Sequence, residues 1–160
     1  MPKTRTAAFA AEKAQSPTEA TRDVADAMYR AASECCHQHD RVARIVVKSG
    51  IDEEVRVAQT MCQQCDDALR ALTASYEEIA ASLRPTDGDA EWWHRANALW
   101  LASREYLRRN GCCNAAMKDK KGDGRERLGA LHRESELEGS ALLALRQAAE
   151  AYKKNRPAAA

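Results

Sequence analysis

The residues in this chain with the most chemical potential are cysteines and histidines, and they gather in three short stretches. "ECCHQHD", residues 34–40, holds two of the six cysteines and two of the four histidines. "MCQQC", residues 61–65, adds Cys62 and Cys65, and "GCC", residues 111–113, adds Cys112 and Cys113. Two sulfurs at i and i+3, as in Cys62 and Cys65, share one face of a helix within reach of a single metal ion. Cys35 and His39, at i and i+4, make a second such pair. Thiolates with an imidazole suit tetrahedral zinc, and sulfur-rich surroundings also suit copper(I). The alternatives are thiol redox chemistry between elements and plain burial, because free cysteine behaves as a small hydrophobe.

A second constellation fails on geometry. Glu34-Cys-Cys-His37 and Glu91-Trp-Trp-His94 both read Glu-x-x-His, the pair of motifs that di-iron helical bundles use at one level. The helical register below separates these two by several turns, which rules against a di-iron oxidase. There is no His-Glu-x-x-His, phosphate-binding P-loop, dinucleotide fingerprint or Gly-x-Ser-x-Gly elbow. No nucleophile–base pair or carboxylate pair has a defined geometry either, so the sequence points away from an enzyme.

Charge and hydropathy narrow the partners. Lys and Arg number 25 against 24 Asp and Glu, a formal net charge of +1. That balance gives no electrostatic reason to expect nucleic acid or an anionic membrane. "KDKKGDGRER" is locally basic, but it lacks P-loop spacing, and cations near a helix C-terminus suit the helix dipole. No segment has the apolar length needed to span a bilayer, and the apolar run around Phe9 is too short for a signal-peptide core. The cytoplasm is therefore the expected compartment, where thiols stay reduced.

The elements that must position these residues are helices. Ala, Leu, Arg and Glu dominate, aromatics are 5% of the chain, and β-branched residues are few. Ser16, Pro17 and Glu19 form a helix-starting capping box, and Gly50 reads as a stop. Asp52 and Asp89 read as further caps, and Gly111 as another stop. The expected helices are residues 17–48, 52–83, 90–110 and 125–155, in one bundle domain over 16–156 behind a flexible tail, 1–15. Residues 111–124 are expected to form a loop. Val55, Ala58, Cys62, Cys65, Leu69, Leu72, Tyr76, Ile79 and Leu83 alternate spacings of three and four, the seam of a bundle helix. Leu128, Leu131, Ser135, Glu138, Leu142, Leu145, Ala149 and Tyr152 do the same. Short turns make successive helices antiparallel, so the fold expected is an all-α, up-down-up-down four-helix bundle.

Register then brings the chemical residues to one height. A turn near Gly50 sets Cys35 and Cys36 level with Cys65, and His39 level with Cys62. A turn near Asp87 sets Cys62 opposite Cys112 and Cys113. A fourth helix running parallel to the second brings Glu138 to the same level, where a buried carboxylate needs a partner. The expected candidate metal or redox layer is Cys35, Cys36, His39, Cys62, Cys65, Cys112, Cys113 and Glu138, with zinc or copper as the implied ion. Trp92, Trp93 and Trp100 are packing anchors that become partner-binding residues where exposed. The leading functional expectation is a small interaction or adaptor protein that self-associates through the third or fourth helix. A metal-binding or thiol-redox module is the alternative.

Overall fold

Apolar spacing of three and four residues, repeated along the chain, folds into four long helices in the computed structural model. The structure describes residues 17–49, 53–81 and 90–154. The helices are α1 (Pro17–Ser49), α2 (Glu53–Ala81), α3 (Ala90–Lys118) and α4 (Gly124–Lys154). The expected tail, 1–15, and the caps at Ser16, Gly50, Asp52 and Asp89 lie outside the described residues. Successive helices run antiparallel as two hairpins, α1–α2 and α3–α4, each packed more extensively within itself than against the other. The hairpins meet along α1–α4 and α2–α3, giving an all-α four-helix bundle.

The register follows the turn positions. His39 lies beside Asp66, and Arg41 donates to the Met61 sulfur across the first hairpin. Tyr76 reaches Asn97, and Tyr106 reaches Asp66, between α2 and α3. These pairs fall within about a turn of the levels set by turns near residues 50 and 87.

The third helix departs from expectation. It runs straight through Gly111 to Lys118, so that Cys112 and Cys113 sit on helix and not on a loop. Packing decides this: Asn110 and Cys113 are buried, and Asn114 donates to the Asn110 side-chain oxygen one turn back. One glycine inside a helix costs only about 1 kcal/mol. The turn that does form spans residues 119–123. Asp119 accepts from the Lys121 backbone N–H, and Gly122 takes a left-handed φ of 86°. Asp123 then caps α4 by accepting from the Glu126 N–H at 2.8 Å.

The core is built mainly towards the N-terminal ends of α1 and α3. Met28, Leu69, Tyr76, Leu99, Tyr106, Leu145 and Tyr152 are sealed from solvent there. Trp92 and Trp93 contact each other edge to face at 5.3 Å, and Tyr29 lies 5.7 Å from Tyr152. Two of the tyrosine hydroxyls are satisfied across helices: Tyr76 donates to Asn97 and Tyr152 to Asp26. Towards the opposite end the hairpins cover each other less completely. Val46, Val57, Met117 and Leu128 are exposed, and a cleft opens between the hairpins. Among the described residues, no helix is long and apolar enough to cross a membrane.

Candidate functional site

At and beneath the floor of that cleft is a layer of polar side chains beside the apolar seams of the helices. α2 supplies Asp66, whose side chain is 3% exposed, and α1 supplies His39 at 22%. α3 supplies Tyr106, fully buried. Its hydroxyl donates to Asp66 Oδ1 at 2.8 Å and lies 2.5 Å from His39 Nε2. With its proton committed to the carboxylate, the hydroxyl oxygen accepts from the His39 ring N–H. His39 and Asp66 are themselves 3.9 Å apart, too far for a direct hydrogen bond but close enough for the charge to matter. The Asp66 carboxylate raises the His39 pKa; burial opposes this, and Glu138 and Asp40 reinforce it. Burial, then Asp66, pushes the Tyr106 phenol far upward, so it remains a neutral donor.

A second chain of amides lies nearby. Asn114 donates to Asn110, and Asn110 donates to Glu138 Oε2 at 3.4 Å, linking α3 to α4. His39, Asp66, Asn110 and Glu138 line a cleft of about 440 Å³, shared with Val42, Cys62, Cys113 and Met117. Asp66 and Tyr106, central to this network, were missed in the sequence. A signal was present: extending the apolar stripe one position beyond the strict seam includes Asp66 and Thr73 on α2 and Tyr106 on α3, and all three are buried.

The cysteines do not form the expected site. All six are free thiols, and their side chains diverge. Cys35 points into the core beside Asp66, whereas its neighbour Cys36 lines a different surface hollow near Asp40 and Arg146. Cys62 and Cys113 face the cleft, Cys65 is half-buried within the field of Glu34, and Cys112 is half-buried on the Arg108 side of α3. Among the described residues no group of three or more His, Cys, Asp or Glu side chains could hold a metal ion. The expectations of a cysteine cluster and of bound zinc or copper at Cys35, Cys36, His39, Cys62, Cys65, Cys112, Cys113 and Glu138 are therefore corrected. The physical reason is azimuth. Register fixes height along the bundle, but neighbouring helix positions point about 100° apart, so residues at one level need not converge. Burial also raises the pKa of Cys35, Cys36, Cys62, Cys65 and Cys113, favouring the thiol over the thiolate a metal requires.

The other candidates fall as follows. Glu34, His37, Glu91 and His94 are exposed, and Ser135 faces solvent. Trp92 and Trp93 are each 7% exposed within the core, and Trp100 is half-buried under the Arg104 guanidinium, 4.9 Å from its ring. Among the described residues the large apolar side chains left uncovered are instead Val46, Val57, Leu101 and Met117 on the first three helices and three leucines on the fourth. Leu128, Leu137 and Leu143 of α4 are 69%, 40% and 55% exposed. Leu137 and Leu143 flank a shallow groove over Gly139 and Ser140, with Arg133 and Glu136 on its rim.

No protein-family model, curated protein or solved structure matches this chain.

Proposed function

We propose that this protein is a helical interaction module that self-associates through the outer face of α4. The observation that carries the reading is the groove over Gly139 and Ser140, bordered by the exposed leucines Leu137 and Leu143. Leaving such side chains in water forgoes roughly 1.5–3 kcal/mol of burial each, which a partner surface recovers. Small residues at the centre of the groove let a second helix approach closely. Among the described residues nothing beyond the helix's own nearby backbone lies within 4 Å of a Cβ placed on Gly139, which leaves room there for a partner.

The groove also suits a second copy electrostatically. Arg133 and Glu136 carry opposite charges on its rim, so an antiparallel two-fold pairing can set unlike charges near each other. Leu143 of one copy then packs as a knob against Gly139 of the other. A single helix face is small by interface standards, about 1,200 Å² in total or less, so the association is reversible and of moderate affinity. Trp92 and Trp93 are committed to the core; α3 still exposes Leu101 and Met117, but α4 exposes three leucines, two of them on one groove, and is the better-supported contact surface.

Sedimentation velocity across a micromolar-to-millimolar series tests this. The wild-type chain is expected to show a concentration-dependent dimer, and Leu143→Lys to remain monomeric with unchanged helical circular dichroism. Gly139→Leu, which meets no obstacle inside the chain, should weaken the dimer in the same way. A wild-type chain that stays monomeric throughout overturns the proposal.

A further inference from the structure

The cleft between the hairpins is separate from the outer face of α4, and its chemistry is of a different kind. We infer that it is a binding site for a small organic cation: a primary ammonium or guanidinium carried on a short apolar body. The inference is independent of self-association.

Three features of the cleft support it. The first is charge. Asp66 and Glu138 both line the space, and His39 is the only basic side chain among the residues that line it. Even with His39 protonated, the two carboxylates leave a net negative charge. Glu138 is half-buried; the Asn110 amide donates to it at a long 3.4 Å, and the Cys113 thiol is hydrogen-bonded to it from within the cleft. A half-buried carboxylate whose direct hydrogen-bond partners in the cleft are the neutral Asn110 and Cys113 side chains is a costly arrangement, and a bound cation relieves it.

Shape is the second feature. A volume of about 440 Å³ lies within the usual range of small-molecule sites, roughly 300–1,000 Å³. Val42 of α1 and Met117 of α3 add apolar surface to the lining, against which a hydrocarbon body can pack while carboxylates hold its charged end. The third feature is that the floor is fixed before any ligand arrives. Tyr106 ties His39 on α1 to Asp66 on α2, and Asn110 ties α3 to Glu138 on α4. Preorganised acceptors lose little freedom on binding. Apolar residues in these positions would pack a bundle at least as stably, so the polar layer fits a role beyond folding. The donors do not converge on a point as a metal site requires. A diffuse organic cation with several N–H donors needs no such convergence.

The test uses 2-phenylethylammonium as the probe, with 2-phenylethanol as its neutral isostere and phenylacetate as its anionic counterpart. Binding is followed by calorimetry and by the NMR signals of the Met117 methyl group and the His39 ring. The ammonium is expected to bind saturably and shift both signals, and the alcohol and the anion to do neither. Glu138→Gln keeps the side chain's shape at a half-exposed position, so its fold is expected to persist, as a thermal melt will verify. It should weaken ammonium binding about tenfold or more. Leu143→Lys should leave binding unchanged, which separates this site from the α4 face. No saturable binding, equal binding of the alcohol, or an unchanged affinity in Glu138→Gln each overturns the inference.

Discussion

Tyr106 carries the polar layer at the scale of single residues. Its hydroxyl satisfies a carboxylate that is almost wholly buried and at the same time orients an imidazole from another helix. Tyr106→Phe keeps the ring and its packing but leaves Asp66 without that donor. The expected loss is about 1–3 kcal/mol in urea denaturation, since a buried acceptor left unsatisfied costs its full desolvation. His39 adds a pH dependence of definite sign. Its pKa in the folded chain is raised, chiefly by Asp66, above the ordinary histidine value of about 6.5. The folded state therefore holds the proton more tightly than the unfolded chain does. This contribution is full below about pH 6.5 and is lost as pH rises through the folded-state value. The urea midpoint should fall between about pH 6 and pH 8, and His39→Gln should flatten that slope. The raised thiols titrate higher, with Cys62 pushed up to about 11 by burial and Asp66, so they leave this window undisturbed.

For the helices themselves, two glycines separate local from tertiary control. Gly111 is a stop signal by sequence, yet α3 passes through it, and a Cβ there would meet nothing within 4 Å. Gly111→Ala should therefore stabilise the protein by about 1 kcal/mol, the ordinary gain at an exposed helix interior. Had the helix ended there in a left-handed cap, the same change would destabilise it. Gly122 is the opposite case. Its φ of 86° suits glycine, and an added Cβ would sit 2.9 Å from the Glu126 carboxylate. Gly122→Ala should cost about 1–2 kcal/mol in thermal denaturation. Both variants are best measured in the Leu143→Lys background, where self-association does not contribute.

In the whole molecule, the bundle has a sealed end and an open one. Large aromatic side chains fill one part of the core, and the cleft lies between the hairpins towards the other. Thiol exposure follows the face of each helix and not that division. Cys65 and Cys112 are half-buried, whereas Cys35, Cys36, Cys62 and Cys113 are buried. A thiol-reactive chromophore should therefore label the first pair in the folded protein and reach the other four only slowly until denaturant is added. Rapid native labelling of all six would contradict the packing described here.

The sequence by itself determined the helical class, the antiparallel order and the height of most residues along the bundle. Local propensity and apolar spacing set these, and the 1.5 Å rise of a helix converts turn positions into levels. It set His39 level with Cys62 and Glu138 level with Cys65; in the structure His39, Cys62 and Glu138 line one cleft. Tertiary structure alone decided which way each side chain points at that height. A rotation of one position separates Cys35 in the core from Cys36 at the surface hollow, and it dissolved the expected metal site. Packing of Asn110 and Cys113 carried α3 past its apparent stop. Only the meeting of α1, α2 and α3 made Asp66 and Tyr106 partners of His39, because a hydrogen bond needs a distance and a direction that no spacing along the chain supplies.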